Sequence, residues 1–340
     1  MPKITPTFEA SRSAMARGLR NGIACGTTEL HVLRPRESLN TRFLFYLTHS
    51  RRFLAEGTGA MQGVAGQKRV PEFVLAEHQI DVPSLKEQKR IADFLDRETA
   101  RIDTLISQKR RLIQLSEERL RASITGSTEL PDAPRAPLGR FIARIDQGYS
   151  PVCDADPASD GWGVLKLSAV HKGQFRPHEN KAMRREEAVH EEYRLSARDV
   201  LVSRANTPEL VGDVCLVSND PGRVLLPDLI YRIQLRTGLD PRFLVYVMLS
   251  AEARRFIESV ARGSSQSMVK LRGEDLRSLV IPLPSHREQQ RIADHLDSLT
   301  SWRDRLVRLV ENQIGVLGEH RQALITAAVT AQLDLSDEAA

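Results

Sequence analysis

The sequence predicts an α+β protein of two globular units with mixed helices and strands, the first unit shortened, each followed by a long helix that pairs with the other. A fourteen-residue phrase occurs twice, as PSLKEQKRIADFLD from Pro83 and as PSHREQQRIADHLD from Pro284, and ten of its fourteen positions are identical. Each copy opens an apolar helical pattern that continues for about forty residues. The segments upstream of the two copies also match. This period is far longer than that of a solenoid, so the duplicated element is a domain-sized unit.

The repeated phrase predicts two helix starts, followed by two apolar stripes. Ser84 with Glu87, and Ser285 with Glu288, have the spacing of a capping box. A stripe of this kind is also what ordinary packing of a scaffold helix produces, but the duplication favours pairing of the two helices along their length. A pair of such helices would form a spacer about 60 Å long. The expected pairing residues are Ile91, Leu95, Ile102, Leu105, Leu112, Ile292, Leu296, Leu299, Leu306 and Leu317.

The repeat extends into the globular units. TRFLFYLTHSRRF from Thr41 matches PRFLVYVMLSAEARRF from Pro241, and GTTELHVLRP from Gly26 matches LPDLIYRIQL from Leu226. The first copy contains nothing that corresponds to the segment from about Leu138 to Val202. The expected division is a partial first globular domain at 1–82, a long helix at 83–130, a second globular domain at 131–283 and a second long helix at 284–335.

Composition sets limits on function. Of 340 residues, 41% are hydrophobic and 27% charged, which is typical of a soluble globular protein. The three cysteines are isolated in sequence, which favours a reducing cytoplasm over a disulfide framework, and no apolar run is long enough for a membrane span. The net charge of +5 suits a polyanionic partner, although it is mild for this length.

No enzyme motif is found. A methyltransferase needs a glycine-rich cofactor loop with an N/D-P-P-Y/F motif, and an ATPase needs a phosphate-binding loop of the form G-x-x-x-x-G-K-S/T; the sequence has neither. Asp81 with Glu87 has a spacing that two metal-binding carboxylates could use, but Glu87 is better explained as a helix cap. We therefore expect no catalytic residues, no metal and no cofactor.

These motifs resemble those of the specificity subunit of type I restriction-modification systems. The resemblance rests on GTTELHVLRP, RFLFYLTHS, GQKRVP and the helix-opening phrase in the first copy, and on GYSP, SRANTP, DPRFLVYVMLS and PLPSHREQQRIADHLD in the second. It implies two target-recognition domains that each read half of a split DNA site, and two helices that pair as an antiparallel coiled coil. It also implies double-stranded DNA, two modification (methyltransferase) subunits and restriction subunits as partners, in defence against foreign DNA. The specificity subunit itself performs no chemistry.

Polar and basic loops of the recognition domains are the candidate DNA contacts, because base edges are read by Arg, Lys, Asn, Gln and Ser and phosphates take Arg and Lys. Each of these residues could instead serve ordinary turn chemistry or form a hydrogen bond that holds the fold. The candidates are Tyr149, Ser150, Ser203, Arg204, Asn206, Ser264, Ser265 and Gln266 in the second unit, and Gln62, Gln67, Lys68 and Arg69 in the first.

Two functions are consistent with this interpretation. One is DNA reading within a methylating or restricting complex, with the second unit discriminating its half-site better than the shortened first. The other is a coiled-coil scaffold that binds methyltransferase subunits without full DNA recognition.

Overall fold

The structure is a computed structural model that describes residues 1–64, 66–265 and 268–335. The chain divides into two compact units. Unit 1 is Met1–Ile113 together with the chain from Leu306 onward, and unit 2 is Gln114–Arg305. The predicted boundaries at residues 82, 130 and 283 follow the repeat, whereas the observed units each take a segment of both long helices.

Eight α-helices lie in the described part of the chain, and the two long ones begin within a residue or two of the repeated Pro-Ser. The helices are α1 (Thr41–Leu47), α2 (Arg51–Gly59), α3 (Glu72–Glu77), α4 (Leu85–Thr128), α5 (Pro241–Leu249), α6 (Ala251–Val260), α7 (Gly273–Ser278) and α8 (His286–Val329).

All the named strands belong to unit 2. They are β1 (Arg135–Pro137), β2 (Ile142–Gln147), β3 (Gly163–Leu165), β4 (Val170–His171), β5 (Gln174–Phe175), β6 (Asn180–Ala182), β7 (Val200–Ser203), β8 (Ala205–Asn206), β9 (Val214–Leu216), β10 (Val224–Leu225), β11 (Ile230–Leu235), β12 (Arg262–Ser265), β13 (Met268–Lys270) and β14 (Val280–Pro282). The central sheet has the antiparallel order β2-β11-β7-β9. Smaller sheets are β10-β3-β6, β12-β13-β8, β1-β14 and β4-β5.

The core of unit 2 lies between this central sheet and α5. Residues Phe243 to Met248 of α5 are all buried, and they share one apolar cluster with the sheet residues Val200 and Ile233. The ends of both long helices join the same cluster through Leu120 of α4 and Ile292 of α8. The globular part of unit 2 is thus built around the helices as well as beside them.

Unit 1 differs from the prediction in its strands. In place of the strands expected upstream of α4, the described residues form isolated backbone bridges, Pro2 to Leu30, Ile4 to Arg69 and Gln62 to Arg69. In unit 2 the strand β11 pairs with β2 and β7. The first copy has a segment that matches β11, but it lacks the stretch from about Leu138 to Val202 that contains β2 and most of β7. One core cluster of unit 1 packs helix α1 on the start of α4 and the end of α8, through Phe43, Leu95 and Ile325. A second cluster contains Phe8, Phe53 and Val70.

The capping prediction is half confirmed. The Ser84 and Ser285 hydroxyls each accept a hydrogen bond from the backbone N–H three residues on, at 3.3 Å in both copies. The glutamates do not complete the box. Glu87 accepts from Arg90 and Glu288 accepts from Arg291, so each carboxylate forms an ion pair one turn further along the helix.

The least exposed positions along both long helices alternate four and three residues apart, which is the heptad pattern of a coiled coil. We call these positions the seam. On α4 they are Gln88, Ala92, Leu95, Thr99, Ile102, Ile106, Lys109, Ile113, Ser116 and Leu120, and on α8 they are Gln289, Ala293, Leu296, Thr300, Arg303, Val307, Val310, Ile314, Leu317 and Arg321. Each α8 position lies 201 residues after its α4 counterpart.

The helices run antiparallel in each unit. In unit 1 the start of α4 (Ile91, Leu95) shares an apolar cluster with the end of α8 (Ile325, Val329). In unit 2 the end of α4 and the start of α8 join one core. The predicted antiparallel coiled coil is therefore present.

The predicted role in helix pairing is wrong for two of the ten residues. Leu105 and Leu112 are 45% and 43% exposed, because they fall just outside the seam, and Ile106 and Ile113 take the places beside them. Leu95, Ile102, Leu296 and Leu317 lie in the seam. Ile91 and Ile292 are buried next to the seam, and Leu299 and Leu306 are half-buried there.

Candidate nucleic-acid interface

The small sheet β12-β13-β8 of unit 2 carries a basic hairpin. Arg262 on β12 lies directly opposite Lys270 on β13, and both side chains are exposed. Like charges opposite one another across an antiparallel pair repel and destabilise the hairpin. Within the described part of the chain, neither has a carboxylate within ion-pair distance. An anion placed over this hairpin would relieve the repulsion.

Arg204 is held at the edge of the same sheet. Its Nε donates to the Tyr231 hydroxyl at 3.1 Å, its guanidinium lies 5.8 Å from the centre of that ring, and Tyr231 in turn donates to the Leu271 carbonyl at 3.3 Å. Asn206 lies on β8 opposite Val269, and its Oδ1 accepts from the N–H of Thr207 at 2.9 Å. Both predicted residues therefore lie on the basic sheet, and both already serve structural hydrogen bonds.

The prediction that Ser203 contacts DNA is wrong. It is the last residue of the central strand β7 and is 0% exposed, so a base or phosphate cannot reach it. The adjacent Arg204 and Asn206 are partly exposed because the chain leaves the central sheet there and enters the small one. Ser264 and Ser265 belong to β12, where Ser265 pairs with Met268, and Gln266 lies outside the described residues.

The GYSP turn mainly has a structural role. A Cβ on Gly148 would lie 1.8 Å from the Leu226 carbonyl oxygen, so only glycine fits there. The Tyr149 ring packs edge-on against His190 at 4.7 Å and near Tyr193, and its hydroxyl donates to the Ala188 carbonyl at 3.0 Å. Ser150 donates to Asp228. Tyr149 and Ser150 thus hold this turn, and their contact with DNA stays a prediction.

The hairpin of unit 1 that corresponds to β12-β13 places Gln62, Gln67, Lys68 and Arg69 together on an exposed surface. Gln62 and Arg69 exchange backbone hydrogen bonds of 3.0 and 2.8 Å, which closes a hairpin. Arg69 does not project freely, because its Nε and Nη2 each donate to one oxygen of Glu29 at 2.8 Å. That hydrogen bond lowers the pKa of Glu29 and raises the pKa of Arg69, so both groups are charged at neutral pH.

A duplicated polar network, which sequence reasoning missed, fixes each globular part to its helix. Gln88 and Gln289 are 0% and 1% exposed. The Oε1 of each accepts from the N–H just before α1 or α5, Asn40 at 2.7 Å and Asp240 at 2.9 Å, and each Nε2 donates to two loop carbonyls. The sequence did contain a signal of this network, because glutamine occupies the same position in both copies of the phrase, as Gln88 and Gln289.

The network continues one and two turns along each helix. Arg42 contacts Asp93 and Asp96, and Arg242 contacts Asp294 and Asp297. Tyr46 donates to Asp96 at 2.7 Å, and its counterpart Tyr246 donates to Asp297, also at 2.7 Å. Burial raises the pKa of Tyr46 to about 12 and raises the pKa of Tyr246 as well.

Two negative findings concern the described residues alone. No three of their His, Cys, Asp or Glu side chains are grouped so that they could hold a metal ion. None of their helices is both long and apolar enough to span a bilayer.

Comparison with known proteins gives a consistent result. A family model described as type I restriction modification DNA specificity domain matches residues 4–115 and 167–315. The chain is 26% identical to the type I restriction enzyme EcoEI specificity subunit of Escherichia coli, over 90% of this chain and 68% of that protein. It is 34% identical to the EcoAI specificity subunit of the same species, over 52% of this chain and 30% of that protein.

The fold is similar to one seen in a solved structure. A chain from a study of complex assembly and conformational transition of the type I R-M system superposes with a TM-score of 0.67, at 19% identity, over 88% of this chain and 73% of that one.

Proposed function

The chain belongs to the type I restriction-modification DNA specificity family, and from that membership we propose that it reads a DNA site of two separated halves, one with each globular unit. Recognition of a DNA sequence is the general function of this family. The finer proposal adds the split site and the docking of modification and restriction subunits, with double-stranded DNA as the substrate of the whole complex.

The observation that carries the DNA part of the proposal is the basic hairpin of unit 2. Arg262 and Lys270 lie opposite one another and exposed, although their repulsion is a cost to the folded protein. A phosphate group between them would turn this repulsion into two charge-assisted hydrogen bonds. The partly exposed Arg204 and Asn206 beside them are of the types that read base edges in the major groove.

The docking part rests on an apolar strip along the coiled coil of unit 1. Leu105, Leu112, Leu309 and Val316 are 43–65% exposed. On the helical wheel, with about 100° per residue, all four lie on the same flank of the seam. Lys109 contacts Gln313 at 2.6 Å, which places Leu112 within about one residue of the level of Leu309, and Leu105 within about one residue of the level of Val316. We name these four residues the apolar flank.

An exposed apolar surface of this kind is suited to an amphipathic helix of a partner protein. We assign the partner as a modification subunit, since methyl transfer is the chemistry that a DNA-reading subunit would direct. The reaction itself belongs to that partner. The competing function, a scaffold that binds methyltransferase subunits without reading DNA, would need the apolar flank but not the basic hairpin.

The test separates these two functions. The full chain is produced with its modification subunits, and methylated positions in host DNA are mapped by sequencing. We expect a two-part motif with a spacer of fixed length, and loss of methylation in Arg262→Gln/Lys270→Gln while the subunits still co-purify. Co-purification without any methylated motif in the wild type would favour the scaffold. Methyl transfer from S-adenosylmethionine by the purified chain alone would contradict the assignment of chemistry to the partner.

A further inference from the structure

The two units carry equivalent hairpins. In unit 2 the hairpin strand β13 lies between β12 and β8, with Val269 opposite Asn206. In unit 1 Arg69 bridges on one side to Gln62 and on the other to Ile4. The positions correspond at an offset of 200 for Arg69 and Val269, and of 202 for Ile4 and Asn206. The same three-stranded arrangement is thus reduced to single pairs in unit 1.

The charges on the two hairpins differ. The hairpin of unit 2 has two cations without a described carboxylate partner. In unit 1, Glu29 pairs with Arg69 through two parallel hydrogen bonds of 2.8 Å. The residue 200 positions after Glu29 is Leu229, which has no charge. The carboxylate is therefore particular to the first unit.

The contact between Glu29 and Arg69 uses the edge of the guanidinium that binds phosphate. A planar guanidinium presents Nε and one Nη as a fork, and carboxylate and phosphate oxygens fit the same fork. For Arg69 to hold a phosphate in this way, both hydrogen bonds to Glu29 must break, and the freed carboxylate then lies beside the phosphate and repels it. Lys68 has no carboxylate within ion-pair distance among the described residues, so the first hairpin presents one unpaired cation where the second presents two.

We propose that Glu29 is an internal competitor for DNA phosphate at Arg69, and that it makes the first hairpin a weaker DNA-contacting element than the second. This inference rests on the proposed DNA-reading function. It makes Glu29 a residue that sets how the two units share DNA affinity, although Glu29 itself does not touch DNA.

The experiment measures the dissociation constant of the full chain with its modification subunits for a duplex that carries the methylated motif. Titrations run between about 50 and 200 mM salt, where the slope of log affinity against log salt counts phosphate contacts at about 0.9 each. Glu29→Gln removes the charge and keeps the side-chain shape. Glu29→Leu installs the residue of the second unit. Glu319→Gln, on the outer face of α8, is the matched control for net charge.

We expect Glu29→Gln and Glu29→Leu to steepen the slope by about 0.9 and to tighten binding about five- to tenfold at 100 mM salt, the effect of one more phosphate contact. Glu29→Gln/Arg69→Gln should abolish the gain, and Glu319→Gln should leave the slope unchanged. Thermal unfolding of each variant confirms that it folds.

The results distinguish the inference from its premise. If Arg262→Gln/Lys270→Gln flattens the salt slope but neither Glu29 variant steepens it, the inference is wrong and the proposed function stands. If the wild-type complex shows no salt-dependent binding to the duplex, the proposed function fails and the inference fails with it. A gain that persists in Glu29→Gln/Arg69→Gln would also overturn the inference, since Arg69 would not be its source.

Discussion

At the scale of single residues, the chain repeats its hydrogen bonds more faithfully than its sequence. Gln88 and Gln289 each hold the backbone at the entry to the next helix through one acceptor and two donor contacts. A buried amide that satisfies three backbone groups cannot be replaced without leaving several of them unpaired. This explains why glutamine occurs at both places, whereas seam positions further along, such as Ile102 and Arg303, differ between the copies.

The first prediction concerns Gln289→Leu. The change leaves the N–H of Asp240 and the carbonyls of Gly238 and Pro284 without their side-chain partner, in a site that is 1% exposed. We expect the free energy of unfolding to fall by about 2–4 kcal/mol, measured by urea denaturation. Gln290→Leu, one residue on and exposed, should change it by less than about 0.5 kcal/mol. Equal effects of the two changes would contradict the structural role of Gln289.

The second prediction concerns alkaline pH. Burial holds the pKa of Tyr46 at about 12, against an ordinary 10.0 in the unfolded chain. As pH rises from about 10 to about 12, the unfolded state releases the phenol proton first, so the folded state loses stability across that window. The double variant Tyr46→Phe/Tyr246→Phe should lose less stability than the wild type between pH 10 and 12. Thermal melting at each pH measures this loss. An identical pH dependence in both proteins would show that these phenols are not the source.

At the scale of elements, the long helices contain more apolar residues than their seam uses. The seam positions Thr99, Lys109 and Arg303 are polar, while Leu309 and Val316 lie outside it and are exposed. Thr99 can occupy the seam because its hydroxyl donates to the Leu95 carbonyl at 2.6 Å and lies 3.2 Å from the Tyr46 hydroxyl. One flank of the coiled coil is thereby left apolar and available to a further helix.

The third prediction compares neighbouring residues of α8. Val310 is buried in the seam and Leu309 is 62% exposed. Val310→Asp should lower the free energy of unfolding by about 3 kcal/mol or more, because it buries an unpaired charge. Leu309→Asp should change it by less than about 0.5 kcal/mol but weaken co-purification with modification subunits. If the folded Leu309→Asp variant co-purified normally with modification subunits, the assignment of the apolar flank as the docking surface would be wrong.

At the scale of the whole molecule, two units on one plan differ in what they offer DNA. Unit 2 has a central sheet, a basic hairpin and the partly exposed Arg204 and Asn206. In the described part of unit 1, backbone bridges take the place of sheets, and Glu29 neutralises Arg69. Both units retain the polar network that fixes them to the helices.

The fourth prediction follows from this inequality. The methylated motif of the wild-type complex should be well defined in one half and poorly defined in the other, since each good base contact contributes about 1–3 kcal/mol of discrimination. Sequencing of methylated host DNA measures this directly. Two halves specified equally well would show that unit 1 reads DNA as fully as unit 2 and would contradict the prediction.

Several features could be predicted from the sequence because they are local or repeated. The duplicated phrase predicted the starts of both long helices to within two residues, since Pro-Ser followed by Glu is a helix-start signal in the local sequence. The offset of 200–201 also predicted that the two copies correspond, and the matching hydrogen bonds of Gln88 and Gln289 follow that offset. Family membership followed from the same motifs.

Other features were decided only by tertiary structure. An apolar pattern gives the phase of a helix, but with leucines on more than one side it does not say which of them faces the partner helix, and so Leu105 and Leu112 were misplaced. The sequence of a loop motif does not show which of its polar residues are buried. Ser203 is buried in the fold and is therefore not part of the interface. Nor does an arginine reveal a carboxylate forty residues away in sequence. The pairing of Glu29 with Arg69 depends on two chain segments that meet only in the fold, and it determines the charge that the first hairpin presents.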